Sequence, residues 1–178
     1  MTAPECSRPV DLRDVPPQGT EMRFEATPEE CAALARRFGL LSLSAFSGRV
    51  EIKPWRKAGL ALKASFTAEV SQPCVVTLEP AESRIKEDFE LHLLPPDLIE
   101  QADAEAPERE VVIDVRSEDS PEPLEGDEID VGEIFAEQLA LAIDPYPRKP
   151  GAVFELPPDE SEAALKPFAA LEILKKGQ

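Results

Sequence analysis

Apolar and polar positions alternate over Glu21–Ala26, with Met22, Phe24 and Ala26 on one face, which predicts a strand. Thr27-Pro28-Glu29-Glu30 follows with the spacing of a capping box: Thr at the N-cap, Pro at the first helical position and Glu at the third. Cys31, Leu34, Ala35 and Phe38 then fall at i, i+3, i+4 and i+7, one buried helical stripe. Arg36 and Arg37 suit the last turn, and Gly39 can close the helix. Leu40–Lys53 reads as a strand whose phase slips. Leu41 and Leu43 share one parity and Phe46, Val50 and Ile52 the other, so a bulge is expected near Ala45 or Gly48. Leu60–Val70 alternates without a break, with Leu60, Leu62, Ala64, Phe66, Ala68 and Val70 inward, and Pro54–Gly59 joins it to the preceding strand as a hairpin. Cys74–Leu78 reads as a short apolar strand. Arg84–Leu94 follows, with Ile85, Phe89, Leu91 and Leu93 on its inner face.

Five strands in meander order, one face apolar, imply an antiparallel sheet of about five or six strands curling towards a barrel, with Val111–Val115 as the candidate sixth. A second helix is predicted from Asp130, its N-cap in another capping box with Glu133, to about Ile143. Val131, Phe135, Leu139, Ala142 and Ile143 make its stripe, Ile134 and Leu141 widen it, and Glu133 and Glu137 face away. Pro145, Pro147 and Pro150 forbid continuation and set an extended segment over Asp144–Gly151. Pro167–Lys176 is a short amphipathic helix with Phe168, Leu171, Ile173 and Leu174 apolar. The expected fold class is therefore α+β. It comprises one domain over residues 1–178, two main helices, a long acidic loop and a C-terminal tail (153–178) bearing the short helix.

Charge changes the picture of one region. The 178 residues carry 36 acidic and 19 basic side chains, a formal net charge of −17. Residues 95–130 alone hold fourteen acidic and two basic side chains, with five prolines and few apolar residues. Most of 95–128 is accordingly expected to be a flexible solvated loop, since it buries too little to offset its ordering entropy. The overall balance argues against bulk electrostatic binding of nucleic acid and favours a basic partner, or simply solubility.

Candidate chemistry is sparse. His92, the one histidine, falls on a polar strand face, and no Ser or Cys lies in a nucleophile-elbow context. Cys6, Cys31 and Cys74 are scattered, form no C-x-x-C pair and suit a reducing cytoplasm. Asp127, Glu128, Asp130 and Glu133 lack the spacing of a calcium loop. The eight glycines form neither G-x-G-x-x-G nor a P-loop. No window approaches a membrane span and no apolar leader opens the chain. These absences give no enzyme, catalytic residue, cofactor, metal, small-molecule substrate or membrane partner. Two surface candidates remain. One is Pro54-Trp55-Arg56-Lys57, where Trp55, Arg56 and Lys57 would meet RNA if the indole does not fold back on the sheet. The other is Pro145-Tyr146-Pro147-Arg148-Lys149-Pro150, a rigid segment that costs little entropy to bind.

Cys74-Val75-Val76-Thr77-Leu78-Glu79-Pro80 and the long run from Ile129 through Asp144-Pro145-Tyr146-Pro147-Arg148-Lys149-Pro150-Gly151-Ala152 resemble the YceD-like family, the large ribosomal RNA subunit accumulation proteins. Ser7-Arg8-Pro9-Val10 and Lys166-Pro167-Phe168-Ala169-Ala170-Leu171 resemble its alphaproteobacterial form. Many relatives carry a second Cys near the first, and this chain has Cys74 alone there. The resemblance implies a bacterial cytoplasmic protein needed for large-subunit ribosomal RNA to accumulate. Joined to the charge, it gives the expectation of a non-enzymatic assembly factor that binds a basic ribosomal protein or a preribosomal large-subunit particle. Its contact residues would be Glu133, Glu137, Gln138, Tyr146, Arg148 and Lys149. RNA is then met indirectly; the alternative is direct RNA contact through Trp55, Arg56 and Lys57.

Overall fold

The computed structural model describes residues 4–56, 58–99 and 121–154. In chain order its elements are β1 (Pro9–Asp11), a 3-10 turn (Leu12–Asp14), β2 (Thr20–Glu25), α1 (Pro28–Phe38), β3 (Ser42–Trp55), β4 (Gly59–Pro73), β5 (Pro80–Leu94), β6 (Glu122–Pro123), β7 (Glu128–Asp130) and α2 (Val131–Ala142). Five strands form one sheet in the order β2-β3-β4-β5-β6, and β1 pairs with β7 in a separate two-stranded ribbon.

The fold is α+β, but the sheet is mixed and open rather than an antiparallel barrel. β2 through β5 are antiparallel neighbours, whereas β6 runs parallel to β5. A parallel neighbour requires a crossover, which here is the connection 95–121. β2 and β6 stand at opposite edges and do not pair, so nothing among the described residues closes the sheet. Cys74–Leu78 is not a strand either. It is a tight turn between β4 and β5, closed by Leu78 N–H donating to the Cys74 carbonyl (2.9 Å) and Cys74 N–H to that of Glu79 (2.8 Å). The five-residue run was too short to tell a strand from a turn by apolarity.

β4 follows its predicted alternation, with Leu60, Leu62, Ala64, Phe66, Ala68 and Val70 all buried. The β3 phase slip is a bulge between Leu43 and Ala45, which brings Leu43 and Phe46 to the same core. Helix α1 has its full capping box on Thr27 and Glu30, and Gly39 closes it at φ +66°. Asp130 caps α2 by accepting from Gly132 and Glu133 N–H, but Glu133 does not reach back, because Arg37 of α1 holds its carboxylate.

α1 and α2 contribute to one core. Phe135 of α2 is fully buried, its ring 4.7 Å from Phe24, 5.6 Å from Phe89 and 6.2 Å from Phe66. Gly48 makes this possible: a Cβ there would stand 2.6 Å from Phe24 and 2.9 Å from Phe135. Leu141, expected in the buried stripe, is 79% exposed at the far end of α2. Of the acidic stretch, residues 121–130 carry β6, the buried Leu124 and β7. The Val111–Val115 strand, the Pro167–Lys176 helix, Lys57 and most of the 95–128 loop and 153–178 tail lie outside the described residues. No helix among the described residues is long and apolar enough to cross a membrane.

Candidate functional site

The start of α2 is set by the N-terminal segment. Arg8 N–H and Ser7 Oγ donate to the two Asp130 oxygens (2.7 and 2.6 Å), and Val131 N–H donates to the Arg8 carbonyl (3.1 Å). The Arg8 guanidinium grips Glu30 through two bonds of 2.7 and 3.0 Å. That contact holds the Glu30 carboxyl below the usual carboxylate range, against the opposing cost of desolvation. Arg37 likewise clasps Glu133 with two bonds of 2.6 and 3.0 Å and reaches Glu5 at 3.1 Å. Glu133 is therefore half-buried and engaged in tying α1 to α2.

With α2 fixed, one of its sides forms a wall of a groove of about 240 Å³, whose floor is Leu91 and Leu93 of β5 with Ile134. The opposite wall is the 122–130 segment, bringing Glu122, Glu125 and Glu128 to face Glu133 and Glu137. Among the described residues no Lys or Arg lines it. The Glu137 carboxyl is pushed above its ordinary value by desolvation first, then by the negative charges of Glu133 and Glu122. A second cavity of about 440 Å³ shares Leu91 and Glu122 with the groove and continues along Asp88–His92, with Gln138 on its α2 side. Glu133, Glu137 and Gln138 are thus brought to one surface.

Tyr146, Arg148 and Lys149 are not part of it. They ride on the Asp144–Gly151 segment, which leaves the other end of α2 and straps onto the β4–β5 turn. Gln72 Nε2 donates to the Asp144 carbonyl (2.9 Å), Val75 N–H to that of Pro147 (2.9 Å), and Lys149 Nζ to Glu79 (2.8 Å). The two runs that carried the family resemblance, some seventy residues apart, therefore meet. At their junction the Lys149 N–H donates to Cys74 Sγ at 3.4 Å. The thiol is fully buried, yet it is drawn down to about 6 by hydrogen bonds from the Thr77 hydroxyl, the Lys149 amide and the amides of Thr77 and Val76. Around this junction Tyr146 is 72% exposed and Leu78, at φ +60°, is 78% exposed.

At the other hairpin Trp55 folds onto the sheet. Its ring lies 4.4 Å from His92, and the Arg56 guanidinium stands 4.0 Å from the indole centroid. His92 is thereby half-buried against the indole rather than fully solvated. The described residues contain no group of three or more His, Cys, Asp and Glu side chains arranged to hold a metal ion.

Sequence reasoning missed Glu122, Glu125, Asp88 and Glu90, which border the two cavities. The first two were absorbed into the solvated loop. Leu124 and Ile129, single apolar residues among acids, were the signal that this part of the stretch packs.

A family model described as "Large ribosomal RNA subunit accumulation protein YceD" matches residues 62–175, more than half of the chain. That span includes most of β4, and all of β5, α2 and the strap. No curated protein and no solved structure matches the chain significantly.

Proposed function

The chain belongs to the YceD family of large ribosomal RNA subunit accumulation proteins, and from that premise we propose that it is a non-enzymatic cytoplasmic factor that binds a basic ribosomal protein or a preribosomal large-subunit particle. The observation that carries this reading is the groove beside α2, with five glutamates on its walls, an apolar floor and no lining cation among the described residues. Such a surface repels phosphate and attracts a segment that carries both Lys or Arg and apolar side chains. Glu137 is its contact residue on α2, with Gln138 on the adjoining cavity and Glu133 contributing its charge while held by Arg37. Tyr146 and Arg148 offer a second contact on the strap, and Lys149 is engaged with Glu79.

Direct RNA contact through Trp55, Arg56 and Lys57 is the weaker reading. A base can stack on the indole only by displacing His92 or Arg56.

The test is a tagged pull-down from growing cells, split into nuclease-treated and untreated halves and washed at low and high salt. Large-subunit proteins retained after nuclease but lost at high salt support the proposal. Recovery that collapses with nuclease, with precursor RNA enriched in the untreated half, overturns it.

A further inference from the structure

One long edge of the sheet carries no partner strand among the described residues. β5 spans Pro80–Leu94 and pairs with β4 from Pro80 opposite Pro73 to Leu93 opposite Leu60. On its other side only Leu93 and Leu94 are paired, to the two residues of β6. The direction of the backbone groups follows from two contacts. Leu94 O accepts from Leu124 N–H (2.8 Å), so residue 94 addresses the β6 side. Leu93 O addresses β4, lying 2.4 Å from where a Cβ on Gly59 would stand. Backbone groups of successive strand residues alternate sides, so His92, Glu90 and Asp88 turn their N–H and C=O outward. The cavity of about 440 Å³ lies against this same stretch, Asp88–His92.

Resting on the proposed function, we infer that this edge of β5 takes an extended basic segment of the partner as an added strand, its cations meeting the glutamates of the adjoining groove. Backbone pairing would supply the affinity, and the charged walls would choose the partner. Asp88, Glu90 and Glu122 border the edge cavity, and Glu137 stands in the adjoining groove. The chain's own residues 100–120 are the wrong occupant by charge, since they hold eight acidic side chains against two basic. An edge strand also tolerates proline at an outward N–H, which gives a direct test.

The purified full chain is titrated with two synthetic peptides of equal length and identical Lys and Leu composition, one strictly alternating and one arranged with helical period. The alternating peptide is expected to bind about tenfold more tightly. Asp88→Pro, which removes an outward N–H, should cost about tenfold relative to Asp88→Ala, which removes only the carboxylate. Unchanged circular dichroism and melting temperature for Asp88→Pro certify its fold; if it is unfolded, an alternating peptide N-methylated on alternate residues replaces it and must bind about tenfold more weakly. Amide exchange at Asp88, Glu90 and His92 should be fast in the free protein and slowed by the alternating peptide.

Equal or tighter binding of the helical peptide, indifference to Asp88→Pro, or amides already protected in the free chain each overturn strand addition. In the first two cases, loss of binding on Glu122→Lys with Glu137→Lys shows that the basic-partner reading survives. If neither peptide binds at any salt, both fall.

Discussion

A Cβ on Gly132 would stand 1.7 Å from the carbonyl oxygen of Cys6. No side chain fits there. The close approach lets the N-terminal segment lie across the first turn of α2 and hand its backbone groups to Asp130 and Val131. Since the obstacle is backbone and not a flexible side chain, Gly132→Ala must push the segment away or tilt α2. A loss of about 2–3 kcal/mol is expected, read as a lower denaturant midpoint with little change in slope.

Glu133 and Glu137 sit one helical turn apart but respond differently. Glu133→Lys places a cation against Arg37 and should cost about 1 kcal/mol of stability, whatever it does to binding. Glu137→Lys lies outside that ion pair, relieves the repulsion from Glu133 and Glu122, and should not lower the melting temperature while removing the low-salt retention of large-subunit proteins. A Glu137→Lys chain that folds and still retains them counts against the groove.

Glu137 also makes a pH prediction. Its carboxyl is raised in the folded state, so the native protein holds that proton to higher pH than the unfolded chain does. The group therefore weakens the fold once both states are ionised. Glu137→Gln should be more stable than the parent at neutral pH, and the advantage should vanish as pH falls below the unfolded carboxyl's range. Glu30 runs the other way, because Arg8 depresses it. Glu30→Gln should cost about 1–2 kcal/mol near neutrality, through the lost ion pair and weakened capping box. That deficit should shrink as pH falls through the folded Glu30 value. Melting temperatures of the three proteins from pH 7 downwards check both signs.

Of the three thiols, Cys74 should ionise first. Cys74 is drawn to about 6 by its hydrogen-bond donors, while burial and the charge of Glu30 push Cys6 up to about 11. Ultraviolet thiolate absorbance of single-cysteine variants should show Cys74 titrating first, and Thr77→Val should move its midpoint upward. Being depressed in the folded state, Cys74 contributes stability that grows as pH rises through its folded value towards the unfolded thiol's range. Cys74→Ser should thus be more damaging at the alkaline end of that window. An unshifted Cys74 midpoint in the parent would remove the assigned hydrogen bonds as its cause.

Much of the framework could be read from the chain because its signals are local. The Thr27–Glu30 box, the β4 alternation and the β3 bulge each depend on residues within one element, and each is found. What the sequence hid depends on partners far away. Asp130-Val131-Gly132-Glu133 has the spacing of a capping box, but Arg37 competes for Glu133 from another helix. Leu141 reads as widening the apolar stripe, yet two residues on from the buried Leu139 it turns to the opposite side of α2, while Ala142 and Ile143 still pack against the core. The same holds for the candidate site. Glu137 and Gln138 were legible as the polar side of a helix, whereas the wall opposite them comes from residues that composition alone assigns to solvent. The meeting of Cys74 with Lys149 could not be seen either, because nothing along the chain encodes which turn a proline-rich exit will rest upon.

The bond from Arg8 N–H to Asp130 joins residues separated by 122 positions. On a ribosome adding about 5–20 residues each second, the acceptor is made on the order of ten seconds after the donor. The hairpins and α1 can assemble in that interval, but the pocket later filled by Phe135 stays open, with Phe24, Phe66 and Phe89 lacking their fourth ring. Completion then waits on a long chain closure, the slow kind of event in folding. The nascent protein thus passes through a period in which its own unfinished core is its most adhesive surface, and it ends only when α2 arrives.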